Sequence, residues 1–128
     1  MSRDIPESDW KIFHQLHPIA VNRFCQQVLA DLEKVITDTA GTAHERNLEA
    51  YELIHKQNRR MADAFDDLRR STARFQIAMI LSFGLLTEEE FMRFSPETRE
   101  ALLLFTDPKS KNRKFRYFSD TLHPDSSC

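Results

Sequence analysis

Glycine and cysteine are almost missing from this sequence, with two of each in 128 residues. Phosphate-cradling loops, dinucleotide fingerprints and strand-to-helix nucleophile elbows all need glycines at fixed offsets, to bring backbone close to a ligand or to hold a sharp turn. Gly41 and Gly84 alone cannot build any of these. Cys25 and Cys128 lack the spacing of a zinc site or a redox pair. Cys25 falls on an apolar helical stripe, where a thiol behaves as a small hydrophobe, and a reducing compartment is the simplest home for such a chain. Long hydrophobic runs are missing too. The longest apolar patch, residues 77–86, is interrupted by Ser82 and Gly84 and is too short to cross a bilayer. The first eight residues hold no apolar run of signal-peptide length, so the expectation is a cytoplasmic protein that neither is secreted nor enters a membrane. A net charge of −2 selects no class of partner. Five prolines, few turn formers and no sustained apolar-polar alternation put the expected sheet content near zero.

What the sequence does contain is helical periodicity. Thr42 and Glu45 form a capping box, in which a hydroxyl and a carboxylate each take up an orphan amide of a first helical turn. From there no proline or glycine intervenes until Gly84, so the pattern predicts one rod over 42–83, about forty residues and roughly 60 Å long. Steps of three and four from Tyr51 through Ile54, Asn58, Met61, Phe65 and Leu68 to Ser82 describe a heptad seam. Gly84 suits a left-handed helix terminus, with Leu85 as its apolar contact.

Upstream, Ser8 or Asp9 is expected to cap a short helix carrying Trp10, Ile12, Phe13 and Leu16, with Pro18 as a junction into a second helix ending near Asp38. Val21, Phe24, Cys25, Val28, Leu32, Val35 and Ile36 make its apolar stripe. The short link over 37–41 folds that helix back along the rod as an antiparallel hairpin. Downstream, Thr87 and Glu90 repeat the capping box, and Ser95-Pro96-Glu97 supplies an N-cap, a first-turn proline and a first-turn acid. Residues 73–83 are apolar nearly all round and must be enclosed on several sides, a role for which these two small helices are the natural cover.

Few residues suggest chemistry. Glu52 and His55 form a single Glu-x-x-His pair, where a carboxylate-bridged metal bundle requires two pairs and two further glutamates. His14 and His17 have no carboxylate arranged beside them. The arginines Arg59, Arg60, Arg69, Arg70 and Arg74 are interrupted by Asp63, Asp66 and Asp67, and Asp66 with Arg70 has the spacing and order of a helix ion pair. Hence no catalytic residue, metal or cofactor is assigned. The C-terminal segment is more suggestive. Lys109, Lys111, Arg113, Lys114 and Arg116 are interleaved with Phe115 and Tyr117, a combination that joins phosphate contact to base stacking on single-stranded nucleic acid. Three acidic residues over 107–128 offset the five basic ones, so any such binding is expected to be weak.

The runs His44-Glu45-Arg46, Ala64-Phe65-Asp66-Asp67-Leu68-Arg69-Arg70-Ser71-Thr72-Ala73, Gly84-Leu85-Leu86-Thr87-Glu88-Glu89-Glu90-Phe91 and Phe94-Ser95-Pro96-Glu97-Thr98-Arg99 resemble a group of short, uncharacterised proteobacterial helical proteins, over about half of the chain. Some of that group carry a transport substrate-binding label, although this chain is too small for a two-lobed binding protein. The resemblance implies a bacterial cytosolic helical protein and transfers no site residue.

The expected fold is therefore all-α. It is a helical bundle over 1–106, built on a long antiparallel helical hairpin with two short C-terminal helices, followed by a flexible basic-aromatic tail over 107–128. A partner helix of about twenty residues covers only half of the rod. The expected function is that of a small non-enzymatic interaction or regulatory protein acting through homodimerisation, with Tyr51, Ile54, Asn58, Met61, Phe65 and Leu68 as the dimer seam and with further protein partners. The alternative is a nucleic-acid-binding regulator that uses the tail.

Overall fold

The structure, a computed structural model, describes residues 5–105 and 117–118. Among them there are helices and no strand, in the order α1 (Glu7–Thr37), α2 (Ala43–Phe65), a single 3-10 turn (Arg70–Thr72), α3 (Ala73–Ser82), α4 (Glu88–Met92) and α5 (Pro96–Phe105). The hairpin of α1 and α2 is present, and α3 lies against α1, α2 and α5. The protein is an all-α bundle built on that hairpin.

Pro18 does not divide the first helix in two. α1 runs through it for 31 residues. Interior proline removes one helical hydrogen bond and crowds the preceding turn, at a cost of about 3 kcal/mol. Packing on the other side of the helix offsets that cost: Pro18 faces solvent, whereas Phe13, Leu16, Ala20 and Phe24 form a continuous buried stripe that spans it. Neither Ser8 nor Asp9 caps this helix, which starts at Glu7. Asp9 is buried and serves the far end of the chain. Its carboxylate accepts from the Ser95 amide at 2.9 Å, the Ser95 hydroxyl at 2.6 Å and the Thr98 hydroxyl at 2.5 Å. A carboxylate set there also meets the positive end of the α5 dipole.

The turn between α1 and α2 is closed by Arg46, which donates to the carbonyls of Ile36 at 2.6 Å and Gly41 at 3.3 Å. The Thr42–Glu45 capping box forms with both of its bonds at 3.0 Å. The predicted rod, however, stops at Phe65. Asp66 is extended, Asp67 sits in the left-handed region at φ 64°, and helix resumes only at Ala73. Two side chains bind the freed backbone: Gln76 Nε2 donates to the carbonyls of Asp66 and Asp67, and the Thr72 hydroxyl donates to that of Asp67. The expected Asp66–Arg70 helix pair does not form. Arg70 donates instead to the Ile5 carbonyl, and Arg69 pairs with Asp67 at 2.6 Å.

The break lets the apolar segment turn into the bundle as α3, whose Ala73, Ile77, Ala78, Ile80 and Leu81 are buried. Gly84, at φ 72°, ends α3 in a Schellman arrangement: the Leu85 amide reaches the Ile80 carbonyl, the Gly84 amide reaches that of Leu81, and Leu85 is wholly buried. The second capping box also forms, at Thr87 and Glu90; α5 packs against α3, and Phe91, Phe94 and Leu102 enter the same core.

The break is held by Gln76, so Gln76→Met, of similar length but unable to donate, should remove its bonds to the carbonyls of the exposed Asp66 and Asp67 and cost about 0.5–1.5 kcal/mol. Thermal unfolding followed by circular dichroism is expected to show a midpoint lowered by several degrees.

Candidate interaction surface

Burial is distributed unevenly along the hairpin. Every buried residue of α1 lies between Asp9 and Phe24, and those of α2 are Ala64 and Phe65. None of residues 25–63 is buried. The hairpin is therefore two different objects. Its stem packs into the bundle, and beyond Phe24 and before Ala64 it continues as a two-helix arm on which Arg60 still reaches Phe83 and no residue is buried. Thirteen α1 residues past Phe24 correspond to an arm of about 20 Å.

Within the arm, Val28, Leu32 and Val35 of α1 and Ala50, Leu53 and Ile54 of α2 are half-buried. A second set is open to solvent: Leu29 at 62%, Ile36 at 52%, Leu48 at 50% and Tyr51 at 65% exposure. Leu29 and Ile36 are seven apart on α1, and Leu48 and Tyr51 three apart on α2, so each pair shares one face of its helix. Tyr51 extends this face by stacking on His55, with the rings 11° from parallel and 5.9 Å apart. Each pair thus adds an apolar strip to the solvent-facing surface of its own helix.

The predicted seam residues divide between these zones. Tyr51 and Asn58 are exposed on the arm, Ile54, Met61 and Leu68 are half-buried, and Phe65 is buried in the bundle against Phe24 and His17. Phe65 therefore belongs to the core of the bundle. Arg46, Ala50, Leu53, Gln57 and Ala64 form the least exposed stripe of α2, and the apolar positions read as a seam are rotated from it by about one residue, or 100°.

The stem is fastened by groups widely separated in sequence. Arg23 makes a two-pronged ion pair with Glu90, at 2.7 and 3.0 Å, and donates to the Leu85 carbonyl at 2.8 Å. Burial pushes the Glu90 carboxyl up. The Arg23 hydrogen bonds and charge, with the Thr87 amide and hydroxyl, outweigh that and hold it below the ordinary carboxylate range. Arg23 also lies over the Phe118 ring at 4.4 Å, the Phe118 amide donates to the Leu86 carbonyl, and Tyr117 rests on Phe91. Burial first, and then the Glu88 carboxylate, raise the Tyr117 hydroxyl above its usual value. These two aromatics of the predicted tail thus lie against the bundle. Lys109, Lys111, Arg113, Lys114, Phe115 and Arg116 fall outside the described residues.

The other candidates disperse. His17 bonds the Phe65 carbonyl at 3.2 Å, His14 packs edge-on against Trp10, and Arg60 lies over Phe83. Glu52 and His55 stand exposed on α2. Among the described residues no group of three or more His, Cys, Asp or Glu side chains is placed to hold a metal ion, and no helix is long and apolar enough to cross a membrane. No protein family, curated protein or solved structure matches the chain.

The depressed Glu90 carboxyl gives stability a defined pH dependence. Its contribution is present above the unfolded value near 4.5 and is lost as pH falls through the lower folded value. Glu90→Gln should lower the unfolding midpoint at pH 7 and flatten its decline between pH 5 and pH 3. Melting curves across that range check it.

Proposed function

We propose that this chain is a non-enzymatic interaction protein that works through homodimerisation, with the α1–α2 arm as the contact element. One observation carries the reading: a helical hairpin continues beyond the bundle with no buried residue over 25–63, while Leu29, Ile36, Leu48 and Tyr51 stand exposed on it. Two adjacent helices of about 10 Å diameter, some 20 Å long, present a face of about 400 Å², roughly half of what each partner buries in a standard interface, so the contact is a small one. Two such layers laid face to face make a four-helix bundle, in which the exposed apolar groups acquire the core they lack. Further protein partners belong to the same reading, because a dimeric rod leaves the bundle ends open to them.

The test uses substitutions on the exposed side of the arm, where a change should alter association and spare the protomer. Light scattering at micromolar concentration is expected to give a dimer for the native chain. Leu48→Asp combined with Tyr51→Asp should shift it to monomer with helicity retained, because carboxylates would be buried without partners. A native monomer across that concentration range defeats the proposal. The same dimer with both aspartates in place moves the contact off the arm.

A further inference from the structure

Resting on the reading above, we infer that two copies pair their arms antiparallel, the acidic tip of each lying along the basic stem of the other. The argument is one of charge order. On α2, Glu45, Glu49, Glu52, Lys56, Arg59 and Asp63 recur in steps of four and three, forming one exposed stripe beside the one that carries Leu48, Tyr51 and His55. Along its middle the signs run acid, acid, base, base. The wider arm follows the same order. Residues 29–52 hold six acidic and two basic side chains, of which Arg46 is committed to the turn, whereas residues 53–65 hold three basic and one acidic.

None of Glu49, Glu52, Lys56 and Arg59 makes an ion pair among the described residues, where the three pairs are Lys11–Glu7, Arg23–Glu90 and Arg69–Asp67. A parallel pairing would set acid beside acid and base beside base. In an antiparallel pairing with its two-fold axis at Ile54, residue 49 of one copy lies level with residue 59 of the other, and residue 52 with residue 56. Both opposite-charge matches come from one register, which also sets Glu45 of one copy level with Asp63 of the other at its outer ends. A two-fold interface repeats each of them, so four flanking pairs form together. Flanking charges of this kind fix orientation and register in paired helices. The same register carries Leu48 and Tyr51 from the tip of one arm onto the stem of the other, level with Arg60 and Gln57.

The experiment reads orientation separately from association. In a Cys25→Ser, Cys128→Ser background, Glu49→Cys and Arg59→Cys are made singly, tagged differently, mixed and treated with a short bis-maleimide. The expected result is a cross-link between the two variants and none within either alone. Glu49→Lys with Glu52→Lys should weaken self-association about tenfold, and adding Lys56→Glu and Arg59→Glu to the same chain should restore it. A dimer in which Glu49→Cys cross-links to itself, or whose affinity is unmoved by the charge reversal, overturns the orientation and leaves the arm-mediated dimer standing. A monomer by light scattering overturns both.

Discussion

The shape of this protein depends on the interruption of one helix after Phe65. A rod continued to Phe83 would hold residues 73–83 in line with the arm, where nothing could enclose an element that is apolar nearly all round. The left-handed Asp67 and the extended residues beside it turn the chain, and Gln76 and Thr72 take up the carbonyls that the turn releases. A non-glycine residue at positive φ carries backbone strain of about 1 kcal/mol or more. Burial of Ile77, Ile80 and Leu81 is worth roughly 1.5–3 kcal/mol for each side chain, so the exchange favours the break. From it follow a core built around α3 and, on the other side of Phe65, a hairpin free to project.

Local signals in the sequence are legible because they act within a few residues. Both capping boxes, the Ser95-Pro96 start and the Gly84 terminus are satisfied by bonds spanning five residues or fewer. The break after Phe65 left no such mark. Phe65-Asp66-Asp67-Leu68 contains neither glycine nor proline, and the groups that hold it open, Gln76 above all, come from the next helix. Pro18 misled in the opposite sense. Its local cost is real, but a buried stripe on both sides of it is stronger. Long-range fastenings were equally silent: Arg23 and Glu90 stand 67 residues apart, and nothing in either neighbourhood announces the other.

The candidate surface was half legible for the same reason. Heptad spacing marks α2 as an apolar helix, and the phase of its buried face is decided by the packed neighbours of α2. Phe65 belongs to the core because Phe24 and His17 reach it, whereas Tyr51 remains outside because α1 covers another face at that level. Exposed Leu48, which the seam omitted, and the acid-to-base order of the neighbouring stripe gain meaning only once the arm is seen to stand clear of the bundle. The aromatics of the C-terminal segment show a related effect, since Tyr117 and Phe118 are engaged by Phe91 and Arg23, residues that no reading of the segment alone would supply.

The bonds from Asp9 to Ser95 and Thr98 join positions 86 and 89 residues apart. Bringing such distant points together carries a closure entropy that the local α1–α2 hairpin does not, and contacts of long sequence separation slow folding. During synthesis the hairpin can therefore form while the chain is still growing. The first helix must wait with Asp9 unpartnered until nearly a hundred residues have left the ribosome. A nascent or truncated chain lacking α5 would leave Asp9 without the Thr98 hydroxyl. Completion of the C-terminal helices is thus what commits the N-terminus to its native place.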